Sequence, residues 1–265
     1  MAGRPRVTAC VSGWRFDFRW RKSSTSHFST SFVVLFWVVR RSCLKETMGS
    51  PLLLYFDQSE VDQRLAALGL DMEVLTTAAL QGLAGWASCT LNHPPTYPGT
   101  VAWAEGTRAL REGLFARGWM RKNETNLPLV VNAAETIAIA FTSGDADTGR
   151  KDGYPSTRSA KGPKTAQAVR VNQRQEQFAF MDPGAVIASI KTAGRSTWLL
   201  LTYRDTASRE LRSELSRPID MTEDGHVSKW AERIILTAFP LDENPQFESD
   251  DANQSPEITV EINKL

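Results

Sequence analysis

The apolar positions of this chain change period along its length, and the change divides it into a helical part and a strand-rich part. Residues 52–56 form a short apolar run. Asp57 and Glu60 then stand as N-cap and N3 of a capping box. Val61, Leu65 and Leu68 follow at i, i+4 and i+7, with Gly69 as a C-cap, so a helix is predicted over 58–68. Asp71 opens a second helix, whose stripe is Met72, Leu75, Ala79, Leu83 and Trp86. Gly82 and Gly85 weaken that helix but let another backbone come close. Residues 93–99, with three prolines, read as a stiff connector that stops any helix. A third helix follows over 101–117, with Trp103, Leu110 and Leu114 on one face and Gly118 closing it.

Beyond that point the period is two. Residues 127–131 and 136–142 are β-rich and read as a hairpin. Residues 143–165 are a long polar loop with four Gly and two Pro, of the kind that is functional or disordered. Asp182-Pro183 gives an N-cap and a first-turn proline, with Val186, Ile187 and Ile190 as the apolar face of one inserted helix. Residues 197–203 read as a buried strand, 208–217 equally as strand or helix, and 232–239 as a further strand. Helices first, then strands joined by short turns, predict an α+β fold: a small N-terminal helical part packed on a mainly antiparallel sheet.

Composition changes this picture mainly at the ends. The chain has 265 residues, 42% hydrophobic and 23% charged, with a net charge of +1. Those values exclude whole-chain disorder, collagen and coiled coil, and give no general case for nucleic acid or membrane. The balance hides a split, because residues 1–47 hold nine basic and two acidic residues while the remainder holds 22 and 28. The first segment fits neither a secretory signal nor a transit peptide well. It is expected to be a non-core extension ahead of a true start at Met48, with a single globular domain over 48–240. Residues 241–265 are expected to be a flexible acidic tail. Cys89 is the one cysteine of the body, which leaves no internal disulfide there and suggests a cytoplasmic setting.

Candidate chemistry centres on the long loop. Gly144 and Gly149 have the spacing of a phosphate-binding GxxxxGK[ST] loop, but Arg150 and Lys151 stand where Lys and Ser or Thr belong. Asp145, Asp147 and Gly149 begin like a calcium loop that then departs from the EF-hand pattern. The second half is basic and rich in hydroxyls. Ser156, Arg158, Lys161, Gly162 and Lys164 offer charge, donors and close backbone approach to a phosphate. Arg108, Arg111 and Arg117 line the third helix, and three helices before a hairpin is the element order of a winged helix, so DNA contact over 101–122 is an alternative. Cys89 and His93 are too few for zinc, Cys89 near a helix C-terminus is a poor nucleophile, and no Ser-His-Asp set stands out. No metal and no cofactor is expected, nor any membrane association. Three functions remain: a non-catalytic intracellular bacterial accessory or regulatory protein acting on a protein partner; an enzyme handling a phosphorylated or nucleotide substrate through 143–165; and a DNA-binding module. Whether the chain is an enzyme stays open.

Overall fold

The computed structural model describes residues 51–181 and 194–241. The expected extension over 1–47, the helix expected from 182 and nearly all of the acidic tail lie outside them. Among the described residues are four helices, α1 (Gln58–Ala67), α2 (Met72–Ala87), α3 (Tyr97–Phe115) and α4 (Pro163–Met181). The strands are β1 (Leu53–Tyr55), β2 (Met120–Glu124), β3 (Leu127–Val131), β4 (Ile137–Ser143), β5 (Ser196–Asp205), β6 (Glu210–Met221), β7 (Val227–Ile235) and β8 (Phe239–Pro240). They form one mixed sheet in the order β1-β7-β6-β5-β4-β3-β2, with β8 on β6. Only β1–β7 and β4–β5 are parallel. The fold is α+β with a mainly antiparallel sheet, and α4, which the sequence pattern did not predict, lies between β4 and β5.

Both faces of the sheet are buried, and this explains the unbroken apolar run of β5. Trp198 and Leu200 join Ile139, Phe141, Leu215 and Ile234 beneath α1–α3. Leu199 and Leu201 join Ala138, Ala140, Val227 and Trp230 on the opposite face. Alternation along a strand sends neighbouring leucines to opposite sides, and only a strand covered on both sides tolerates that.

The helical layer packs through glycine. A Cβ on Gly82 would lie 3.0 Å from the Ala102 carbonyl oxygen, and one on Gly85 2.8 Å from Glu105 Cγ. The two glycines thus permit the predicted close approach of α2 and α3. Helix α1 ends as expected, with Gly69 at φ +71° and a Leu70 N–H to Leu65 carbonyl bond of 2.9 Å, a Schellman closure.

Several local readings need correction. Asp57 makes no side-chain capping bond, whereas Asp71 accepts from Val74 N at 3.0 Å; burial of Val61 and Leu65 under the sheet sets the start of α1 instead. Proline starts α3 rather than stopping it, because Pro98 falls in the first turn, where no N–H is needed. The long loop ends at 162, since Pro163 opens α4 in the same way. Residues 210–221 are strand, and β2 went unforeseen because its five residues are polar or exposed.

Candidate functional site

The segment 144–162 is docked on the sheet face opposite α1–α3, and its own acidic residues shape it. Asp145 accepts from the backbone N–H groups of Asp147 at 3.1 Å and Ser156 at 3.0 Å. Asp147 accepts from Tyr154 N at 3.1 Å. The carboxylates that suggested a cation loop are therefore occupied by loop amides. Gly149 takes φ +71° and donates its N–H to Glu214 at 2.9 Å, so the resemblance to a phosphate loop at this glycine is a packing requirement.

Beneath the loop, Arg233 is paired with Glu214, Nη2 to Oε2 at 2.6 Å, with both side chains almost wholly buried. The same guanidinium donates to the Gly153 carbonyl at 2.7 Å and the Arg150 carbonyl at 3.1 Å. Arg212 donates to the Ala146 carbonyl at 2.9 Å. From the β6–β7 turn, the Gly225 carbonyl accepts from Lys161 N at 2.8 Å, and His226 Nδ1 lies 2.7 Å from the Thr157 carbonyl. Trp230 Nε1 donates to the Pro155 carbonyl at 2.8 Å. A loop read as possibly disordered is thus fixed from both sides.

That fixation places Lys161, the best candidate for chemistry. Its Nζ donates to Thr142 Oγ1 at 2.6 Å and to Ser159 Oγ at 3.2 Å. No carboxylate reaches it among the described residues, and burial pushes its pKa down to about 8. Thr142 is buried at the carboxyl end of β4. Arg158 sits beside that strand end, its N–H donating to the Ser143 carbonyl at 3.0 Å, while its side chain is exposed. Arg204 lies at the end of β5 with its guanidinium 3.7 Å from the centre of the Trp86 ring. Desolvation lowers the pKa of Arg204, and the Arg158 charge lowers it further.

The cluster therefore lies at the carboxyl ends of the adjacent parallel strands β4 and β5, just before α4. Crevices at such ends commonly receive ligands in sheets with parallel pairs. A groove of about 440 Å³ opens beside Lys161, between α4 and the β6–β7 turn, lined also by Gly162, Pro163, Arg170, Thr222 and Glu223. This is within the size range of small-molecule sites.

Of the loop residues singled out in the sequence, Lys161 and Gly162 border this groove, and Arg158 is held by its backbone at the end of β4. Lys164 is on the exposed first turn of α4, and Ser156 belongs to the scaffold through its bond to Asp145. Thr142, Arg204, Glu214 and Arg233 were missed. The one signal for the last two was charge inside β-rich runs, which reads as solvent exposure unless a covering loop is known.

The candidate DNA contacts each have partners within the protein. Arg108 bonds Glu105 at 2.8 Å on its own helix. Arg111 reaches Asn123 at 2.6 Å and the Leu129 carbonyl at 3.2 Å, and desolvation lowers its pKa. Arg117 pairs with Asp71. The hairpin after these helices is the β2–β3–β4 part of the sheet, so the element order does not make a winged helix. Cys89 is buried, with Sγ 3.6 Å from the Gly85 carbonyl. His93 stacks on Tyr97 with ring centres 4.8 Å apart. Among the described residues no cluster of His, Cys, Asp and Glu is placed to hold a metal, and no helix is long and apolar enough to cross a membrane.

Comparison of the chain with protein-family models, with curated proteins and with solved structures finds no match.

Proposed function

We propose that this protein binds a small phosphate-bearing metabolite at the carboxyl ends of β4 and β5. One observation carries the reading: the half-buried amine of Lys161 rests on hydroxyls at the edge of a groove, with no carboxylate among the described residues to neutralise it. A buried cation without a counter-ion costs free energy, and an anion supplied by a ligand offsets that cost. Arg158 adds a planar donor set suited to phosphate. Gly162 lets a ligand approach the backbone, and the first turn of α4 presents N–H groups with no intrahelical partner.

This choice favours the phosphorylated-substrate alternative over partner binding, which keeps as its support only exposed apolar side chains such as Phe115 and Met120. The DNA alternative is not carried forward, because Arg111 is bonded to β2 and β3 and Arg108 and Arg117 are paired with acidic neighbours.

The test is a thermal-shift and titration series on the full chain with inorganic phosphate, sugar phosphates and nucleotides, repeated on Arg158→Ala. A charge-assisted bond is worth about 1.5–3 kcal/mol, so the variant should lose roughly ten-fold or more in affinity while melting like the wild type. A ligand that binds both equally removes the site from the reading.

A further inference from the structure

The amine of Lys161 is placed to do more than attract charge. Its Nζ rests on the hydroxyl of Thr142, 2.6 Å away, and near that of Ser159, 3.2 Å away. A hydroxyl differs from a carboxylate in being able either to accept from an ammonium or to donate to a neutral amine. The site therefore accommodates both protonation states without leaving a buried polar atom alone. Lys161 borders the groove of about 440 Å³, which Arg170 of α4 also lines as a cation for an anionic group.

We propose that Lys161 is an amine nucleophile that forms an imine with the carbonyl carbon of a phosphorylated aldehyde or ketone. The inference rests on the phosphate reading above and names its substrate class. The neutral amine attacks the carbonyl carbon, a C–N bond forms, and the nitrogen proton passes to the carbonyl oxygen to give a carbinolamine. The hydroxyl then leaves with the remaining nitrogen proton as water, giving the neutral C=N bond; where it takes its proton from solvent instead, the nitrogen keeps its own and an iminium results. Hydrolysis reverses the sequence, so no oxidant or reductant is needed. Desolvated lysines form such adducts because more of the amine is uncharged. With its pKa near 8 rather than 10.5, Lys161 carries roughly two orders of magnitude more neutral amine at pH 7 than an ordinary lysine.

The experiment treats the full chain with pyridoxal 5′-phosphate at no more than one equivalent, reduces any imine with borohydride, and locates the adduct by peptide mass spectrometry. Unphosphorylated pyridoxal is run beside it, as is a reaction with excess inorganic phosphate. The expected result is an adduct on Lys161 above all other lysines of the nine in the chain, lowered about ten-fold by removing the probe's phosphate and several-fold by competing phosphate. Lys161→Arg should abolish that adduct, since a guanidinium forms no imine. The wild-type labelling pattern decides the matter even if the variant folds poorly. Labelling spread over exposed lysines such as Lys151, Lys164 and Lys229, with phosphate still raising the melting temperature, overturns the nucleophile and leaves the phosphate site standing. An adduct on Lys161 indifferent to phosphate overturns the phosphorylated class. Neither adduct nor phosphate shift overturns both.

Discussion

Glu214 and Arg233 form an ion pair in the interior, side by side on β6 and β7, with Nη2 2.6 Å from Oε2 and both side chains almost wholly buried. Every charged atom of the pair has work: Ser216 donates to Glu214 Oε1 at 2.7 Å, Gly149 donates to Oε2, and Arg233 holds the carbonyls of Gly153 and Arg150. The pair is how the sheet grips the loop. Removing one member strands the other charge, so Arg233→Met should cost about 3–5 kcal/mol in urea melts. Amide exchange of residues 149–153 should accelerate as well. A loss below about 1 kcal/mol would mean that the loop is held by other contacts.

Gly106 and Phe141 fit edge to backbone. A Cβ on Gly106 would lie 2.3 Å from Phe141 Cζ, and one on Gly82 3.0 Å from the same atom. The ring therefore fills a slot between α2 and α3 that only glycine leaves open. Gly106→Ala should destabilise by about 1–3 kcal/mol through overpacking, despite its better helix propensity. Adding Phe141→Leu should make the pair less damaging than the sum of the single changes, since the two sites touch. Strict additivity in denaturant melts would show that the ring moves aside freely.

The fold class was legible because the periods are clean: the stripe of Leu75 and Ala79, the alternation of Ile139 and Phe141 against Ala138 and Ala140, and the run through Leu199–Leu201 all describe burial directly. Helix starts were legible where an Asx cap acted, as at Asp71, and misread where proline acted, as at Pro98 and Pro163. Proline at a first turn and proline in a loop look alike until the following residues are known to pack. Half of the candidate site was legible: Arg158, Lys161 and Gly162 come from one basic stretch. Thr142 comes from a strand end 15 or more residues away, and the return of the loop onto the end of β4, invisible in a linear pattern, brings Lys161 to it.

Leu200 pairs with Phe141 on one side and Leu215 on the other, in the centre of the sheet, and is fully buried beneath the helical layer. Leu200→Ala removes three carbon atoms from a place flanked by strands that cannot close the gap. The loss should be about 2–5 kcal/mol, read as a lower urea midpoint with an unchanged slope. A cost under about 1 kcal/mol would contradict the central position of β5.

Lys161 should make stability depend on pH in a way that one substitution removes. Its folded pKa is about 8 against an ordinary 10.5, so between those values the unfolded chain binds more protons than the folded one. Stability contributed by this group therefore rises with pH across that window. Below about pH 8 the folded state bears the full cost of a desolvated ammonium, on the order of 3 kcal/mol from the shift of pKa. Lys161→Met removes that cost at neutral pH and loses the bonds to Thr142 and Ser159, worth about 0.5–1.5 kcal/mol each. At pH 7 the variant should then equal or exceed the wild type in stability. Its advantage should shrink steadily as pH climbs from about 8 towards 10.5, because only the wild type gains there from releasing this proton. Other groups titrate in the same range in both proteins, so the quantity to measure is the difference between paired urea melts at each pH. A difference that stays flat from pH 7 to 10.5 would show that Lys161 keeps an ordinary, solvated ammonium, and would remove the physical basis for its reactivity.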